Sequence, residues 1–256
     1  MVSNGKIKVA VIPAAGQGKR MGYLSFILPK PLLPIYDKPL IHYILENVRK
    51  NGIEEVYIIV FYKKEKIIEY INAFKNDFGA TAIKFIELEQ PSKGIAHTIL
   101  FAERFISEPF MVILGDDFTI TPSFDNLIKL FFKNNAIAVE GAVKEKSMEV
   151  LKSTCCLKLD KNKRIIEIIE KPEFPITNIR GIGVYIFSPE IFDYIKQTPI
   201  SPPRNEIEIT NTIRLVAKKG KAYADFIHGI NININTPEDL LNAWIYYKEF
   251  KNKNIL

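Results

Sequence analysis

Short apolar runs rich in Val and Ile alternate with longer stretches of helical period through the first half of the chain. This is the pattern of an α/β domain built on a largely parallel sheet. The runs "KIKVAVI" ending at Ile12, "EEVYIIV" (Glu54 to Val60), "TAIKFIEL" (Thr81 to Leu88) and "FMVIL" (Phe110 to Leu114) predict buried strands. Between them the period lengthens near Pro39 to Asn51, Lys63 to Lys75 and Gly94 to Ile106, which predicts helices and the order β-α-β-α-β-α-β. After a further helix near Phe124 to Asn134, the runs "AIAVEGAV", "TCCLKLD", "RIIEIIE" and "GIGVYIF" read as strands separated by Gly and Pro. A helix around Ile207 to Lys219, a strand near Ala222 to Ile227 and an amphipathic helix from Pro237 follow. No flexible linker or internal repeat divides residues 1–256, so one domain with two halves, 1–135 and 136–256, is expected.

Composition narrows the class. A chain of 256 residues with 47% hydrophobic and 25% charged residues can bury one substantial core. Its formal charge of +6 raises the question of nucleic acid, but clusters such as "YKKEK" and "DKNKR" mix signs along solvated surface. An anionic small substrate accounts for the bias, and no nucleic-acid partner is expected. The cysteines, Cys155 and Cys156, are adjacent, which suits neither a disulfide framework nor a spaced zinc site. The start "MVSNGKIKV" lacks the apolar core of a signal peptide, and no apolar run approaches the about 18 residues of a membrane span. A cytoplasmic protein without a membrane partner is the expectation, and the frequent Lys and Ile fit a thermophilic source.

The stretch "PAAGQGKRMG" (Pro13 to Gly22) follows the first strand and offers glycines and two cations to a phosphate. It is not a P-loop, because Pro13 and Arg20 stand where that motif needs Gly and Ser or Thr. Nor is it a dinucleotide fingerprint, because Met21 takes the third Gly position, and the prolines of "YLSFILPKPLLP" forbid a continuous helix after it. What remains is a long cationic loop with Lys19, Arg20 and Lys30, suited to a triphosphate whose leaving pyrophosphate gains charge.

"PAAGQGKRMG…LPKPLLPIYDKPLIHYILENV" resembles the signature of the sugar-1-phosphate nucleotidylyltransferases, the family of UDP-glucose pyrophosphorylase and glucose-1-phosphate thymidylyltransferase. "EQPSKGIAHTIL", "ILGDD", "IIEKPE", "GIGVYIF", "RNEIEIT" and "NINTPEDL" each resemble a family block, in order along nearly the whole chain. The resemblance implies a Rossmann-like three-layer nucleotide-diphospho-sugar transferase fold: a mixed, mostly parallel central sheet with helices on both faces. It makes the first half nucleotide-binding, and the second half, with the last helix, sugar-binding. It also implies a possible homo-oligomer.

The same resemblance assigns Ala14, Ala15, Gly16, Gly18, Lys19, Gln90, Gly94 and Asp116 to the nucleotide, and Arg20 and Lys30 to catalysis. Gln90 offers a donor and an acceptor in one amide plane, matching uracil or thymine, although by itself it reads equally as an exposed loop amide. Glu170, Lys171, Asn178 and Arg204 are implied for the sugar phosphate, and without the resemblance Glu170 and Lys171 read as strand-end charges. Asp116 leaves the strand "FMVIL" at the edge where open α/β sheets bind ligands, and the resemblance makes it the Mg²⁺ ligand. An Asp that the family usually places near the chain end is Asn233 here, with Asn235 as rival ligand. Thr154-Cys155 likewise replaces the usual Tyr-Gly or Phe-Gly pair. "TPED" reads as a helix start, with Thr236 as N-cap and Pro237 first in the helix.

The implied reaction is Mg²⁺-dependent transfer of a nucleotidyl group from UTP or dTTP to a sugar 1-phosphate, glucose 1-phosphate foremost, with release of pyrophosphate. The nucleophile is already anionic, which explains a chain without a Ser-His-Asp set. A cytidylyl or guanylyl transferase acting on another phosphorylated alcohol is the alternative within enzymes, and a non-catalytic nucleotide-sugar-binding regulator is the alternative outside them. A bifunctional enzyme is not expected, since no acyltransferase half follows the final helix.

Overall fold

In the computed structural model, which describes residues 5–202 and 205–252, alternation along each central strand fixes the layering. Ala10, Ile12 and Ala14 face one apolar core while Val9 and Val11 face a second, and Val56, Ile58 and Val60 alternate with Tyr57 and Ile59 in the same way. The strands are β1 (Val9–Ala14), the short pair β2 (Pro34–Ile35) and β3 (Lys38–Pro39), β4 (Glu55–Val60), β5 (Ala82–Glu87), β6 (Phe110–Ile113) and β7 (Asp117–Ile120). They continue as β8 (Ala138–Lys144), β9 (Cys155–Leu159), β10 (Ile165–Glu170), β11 (Ile179–Phe187), β12 (Ala222–Phe226) and β13 (Ile230–Asn233). The helices are α1 (Tyr23–Ile27), α2 (Leu40–Lys50), α3 (Lys64–Ala73), α4 (Ile95–Leu100), α5 (Asp125–Asn134), α6 (Met148–Ser153), α7 (Ile191–Gln197), α8 (Ile209–Lys218) and α9 (Pro237–Asn252). Apolar faces of α2, α3, α5 and α9 cover one side of the sheet, and those of α4, α7 and α8 cover the other.

The main sheet runs β5-β4-β1-β6-β11, parallel as far as β6 and antiparallel at β11, with β8 and β12 beyond on one path and β9 and β10 on another. After β1 the chain winds outward to β4 and β5, then returns to lay β6 on the other side of β1. The crevice between the ends of β1 and β6 is therefore the topological switch point. β11 outruns β6: Val184 to Phe187 pair with β6, whereas Arg180 pairs with Cys156 of β9. The backbone at Gly181 to Gly183 between these partners is left as the floor of a cleft.

The strands and most helices lie where the apolar pattern placed them, with differences of physical interest. The helix expected over Gly94 to Ile106 stops at Leu100 and tightens into a 3-10 turn at Glu103–Phe105. Between Leu100 and Ser107 only Ala102 and Ile106 are buried, too few to extend an apolar stripe. Between Gly18 and Leu28 the chain forms a 3-10 turn and the five-residue α1, which ends just before Pro29. β7 and β13 were not anticipated, since four residues with alternate polar positions give too short a period to read.

β7 and β13 pair antiparallel and bring the end of the chain back to the switch point. Asp117, 1% exposed, clamps this junction. Its carboxylate accepts from the Gly183 N–H at 2.7 Å, the Thr119 hydroxyl at 2.7 Å and the Asn231 amide, tying β7 to β11 and β13. Burial pushes its pKa up to about 6, opposed by those hydrogen bonds and by Arg180. α9 then crosses the first half of the chain, where Tyr247 meets Tyr43 and Phe118 with ring centroids 5.2 and 6.0 Å away. Its start is a reciprocal capping box: the Asp239 N–H donates to the Thr236 hydroxyl at 3.2 Å, and the Thr236 N–H donates to the Asp239 carboxylate at 2.8 Å.

Replacing Asp117 by Ala strands buried donors on β11 and β13. The expected loss is about 3 kcal/mol of stability, read as a lower urea midpoint with an unchanged slope. A loss under about 1 kcal/mol would show the clamp to be dispensable.

Candidate active site

One cleft of about 550 Å³ opens at the switch point, within the size range of small-ligand sites. One wall is the loop after β1, with Ala14, Ala15, Gly16, Gly18, Lys19 and Arg20 all lining it, followed by Lys30. Asp116 enters from the turn after β6, and Asn233 and Asn235 enter from β13 and the residues beyond it. Glu170 and Lys171 line the far end with Thr154 and Cys155.

Period-2 alternation explains how the C-terminal segment contributes. In "NININ" the isoleucines turn one way and the asparagines the other, so Asn231, Asn233 and Asn235 form a row of amides. Asn231 is structural: its oxygen accepts from Arg180 at 2.9 Å and its amide donates to Asp117 and Thr119. Asn233 donates weakly to Asp116 at 3.4 Å and accepts from the Asn235 amide. The Asn235 oxygen accepts from Arg20 at 2.5 Å and from Lys30 at 3.1 Å, contacts that span 215 and 205 residues of sequence. Lys30 also donates to Asp116 Oδ2 at 2.9 Å, a pair with side chains only 12% and 29% exposed. Two cations and one carboxylate are thereby held together in the cleft.

At the far end Glu170 accepts from Lys171 at 2.6 Å and from the Thr210 hydroxyl at 2.7 Å. Lys171 adopts φ +45°, a left-handed backbone unusual for a side chain of this size, and its N–H donates to the Thr154 carbonyl at 2.9 Å. Gly94 is in the cleft wall with φ +104°. A Cβ there would stand 2.8 Å from the Ile207 carbonyl oxygen, so the close approach this glycine permits is to the chain leading into α8.

Not every expected residue reaches the cleft. Gln90 and Asn178 are exposed and do not line it, while Arg204 lies outside the described residues. Pro91 and Ser92 line it in the place of Gln90. The sequence reading passed over Glu140, Arg180, Gly181, Tyr185 and Thr210, which also line the cleft. One signal was available for Glu140: it is the lone acid inside the apolar run "AIAVEGAV", at a position that alternates with Ala138 and Ala142 on the covered face. His42 and His97 stand apart from the cleft. His42 contacts the Tyr70 hydroxyl at 3.0 Å and packs on Phe78, and His97 accepts from the Lys93 N–H at 3.0 Å; burial lowers the pKa of both.

Among the described residues no helix is long and apolar enough to cross a membrane. The family model described as nucleotidyl transferase matches residues 9–247. The bifunctional protein GlmU of Methanocaldococcus jannaschii is 34% identical over 247 residues, which cover 96% of this chain and 56% of that protein. The UTP–glucose-1-phosphate uridylyltransferase of Staphylococcus epidermidis is 29% identical, over 94% of this chain and 92% of its own. A solved UDP-glucose pyrophosphorylase complexed with UDP-glucose superposes with a TM-score of 0.84 at 30% identity, covering 95% of this chain and 99% of that one. The chain spans about half the length of the GlmU relatives it matches. Fold, ordered motifs and the family match agree that this chain belongs to the nucleotidyl transferase family, in its sugar-1-phosphate branch.

Proposed function

We propose that this chain transfers a nucleotidyl group from UTP or dTTP to glucose 1-phosphate. The observation that carries the reading is the convergence of Arg20, Lys30, Asp116 and Asn235 at the switch point, in hydrogen-bonded contact. The relatives named for uridylyl transfer and the neighbour complexed with UDP-glucose support the substrate classes.

In this reaction an oxygen of the sugar phosphate forms a new bond to the α-phosphorus while the bond from that phosphorus to the bridging oxygen of pyrophosphate breaks. The nucleophile already carries negative charge, so no side chain has to remove a proton. The work left to the protein is to hold two anions in line and to offset their repulsion. Lys30, with a short reach fixed by Asp116 and Asn235, is assigned to the α-phosphate and the incoming phosphate. Arg20, presented at the end of the glycine loop, is assigned to the leaving pyrophosphate.

The oxygen donors Asp116 and Asn233 fit a hard cation such as Mg²⁺, although they bring a single negative charge. Bound there, Mg²⁺ would supply charge neutralisation to the phosphate oxygens. Asn233 is preferred to Asn235 as the second donor because it lies beside Asp116 and its oxygen accepts from a neutral amide, that of Asn235, whereas the Asn235 oxygen is engaged by two cations, Arg20 and Lys30.

The reading is tested by pyrophosphate release from purified protein with Mg²⁺, crossing UTP, dTTP, CTP, GTP and ATP with sugar 1-phosphates. Release that requires UTP or dTTP together with glucose 1-phosphate is the expected result. Silence across the grid, with UDP-glucose still binding by calorimetry, would favour a non-catalytic binding protein. Arg20→Ala and Lys30→Ala are each expected to lower turnover by about 100-fold or more while the protein stays folded. Asn233→Asp adds a second carboxylate beside Asp116 and is expected to lower the Mg²⁺ concentration at half-maximal rate by about tenfold. An unchanged Mg²⁺ titration would remove Asn233 from the metal site.

A further inference from the structure

Glu140 is an acid in a place that strand alternation reserves for an apolar side chain. It is 2% exposed yet lines the cleft, on the face of β8 covered by α8. Among the described residues its Oε2 has no hydrogen-bond partner, while the Cys155 thiol bonds the carboxyl group. A buried polar atom left in this state costs about 1–3 kcal/mol, so its retention in a strand that would pack better with Val or Ile calls for a compensating role.

The neighbours of Glu140 show where that role would lie. An ideal Cβ on Gly181 would stand 2.9 Å from its Cδ and 3.1 Å from the Cys155 Sγ, so the carboxyl fills the space of a missing side chain in the cleft floor. Glu170, Cys155, Tyr185 and Thr210 line the same end of the cleft, away from Lys19, Arg20 and Lys30. Glu170 is already matched by Lys171 and Thr210. Glu140 has no cation assigned to it, and burial, reinforced by Glu170, pushes its carboxyl well above the ordinary range. A carboxyl biased by burial toward its neutral form offers a donor beside an acceptor, and a hydroxyl satisfies either. A sugar carboxylate would instead meet two acids at this end of the cleft.

We propose that Glu140 is a specificity-determining residue of the sugar subsite, hydrogen-bonding one ring hydroxyl of the sugar 1-phosphate from beneath Gly181. This rests on the transferase reading above, and it assigns the sugar class as hydroxylated and non-acidic at that position. The phosphate and the nucleotide are held elsewhere, by Lys30, Arg20 and the glycine loop, so Glu140 acts on sugar choice alone.

The test compares glucose 1-phosphate with its 2-, 3-, 4- and 6-deoxy analogues and with glucuronic acid 1-phosphate, using pyrophosphate release by the wild type, Glu140→Met and Glu140→Gln. The wild type is expected to disfavour one deoxy analogue by about 100-fold or more in kcat/KM, since a site built to bond a hydroxyl rejects the analogue lacking it. It is expected to reject the uronic acid as well. Glu140→Met, of similar length and apolar, should bring that ratio to within about threefold with the KM for UTP unchanged, and should melt no lower than the wild type. Glu140→Gln keeps a donor and an acceptor and should retain the discrimination. If the Met variant fails to fold, infrared difference spectra of the wild type on adding glucose 1-phosphate serve instead. A shift in the C=O stretch of a protonated carboxyl, lost in Glu140→Gln, supports the assignment, and its absence overturns it. Turnover with the wild-type analogue pattern in Glu140→Met overturns the role of Glu140 and leaves the transferase standing. No pyrophosphate release by the wild type from any sugar 1-phosphate overturns both.

Discussion

The carboxylate of Asp117, buried between β7, β11 and β13, is the constraint on which the site depends. Its acceptors take the Gly183 N–H and the Asn231 amide at once, so the floor of the cleft and the returning C-terminal strand are fixed to one group. β13 is a four-residue strand whose partner β7 is equally short, and isolated two-stranded pairs of this kind are marginal in water. Anchored by Asp117 on one flank and by the capped start of α9 on the other, the segment holds Asn233 beside Asp116 and Asn235 against Arg20 and Lys30. Charge placement at the switch point is thus a consequence of a hydrogen-bonded junction some residues away.

With that junction in place, the electrostatics of the cleft divide along its length. At the loop end, cations gather around a single carboxylate and an amide oxygen. Lys30 and Asp116 are only partly exposed, so their attraction is less screened than that of a surface pair. At the far end, acids gather instead, one balanced by Lys171 and one whose carboxyl burial pushes well above the ordinary range. A ligand that is anionic at one end and rich in hydroxyls at the other matches this division, and the sugar phosphates have that form.

The left-handed backbone at Lys171 and the orphaned oxygen of Glu140 both lie at the far end of the cleft. Departures from low-energy geometry of this kind persist where surrounding packing over-determines them. Here the surroundings are the two apolar cores on either side of the sheet, whose alternating Val, Ile and Phe residues leave little freedom to relax.

The layers and the order of the main elements were legible in the chain, because burial on both faces of β1, β4 and β6 writes short runs of Val and Ile between longer stretches of helical period. The cationic glycine loop was legible as well, since Gly16, Gly18, Lys19 and Arg20 fall within five residues and their chemistry is local. The resemblance carried Lys30, Asp116, Asn233 and Asn235 into one site, and the fold brings them together. The amides are told apart only in three dimensions: Asn233 and Asn235 are alike in sequence and share one face, but the pairing with β7 seats Asn233 beside Asp116, while Asn235, beyond the end of β13, meets Arg20 and Lys30. Likewise, nothing local in "EQPSKG" keeps Gln90 out of the cleft, and nothing local in "AIAVEGAV" reveals that Glu140 lies behind Gly181, because both depend on where distant strands end. Contacts across two hundred residues of chain are set by strand register and by the length of β11 relative to β6, quantities that local hydrophobic pattern does not encode.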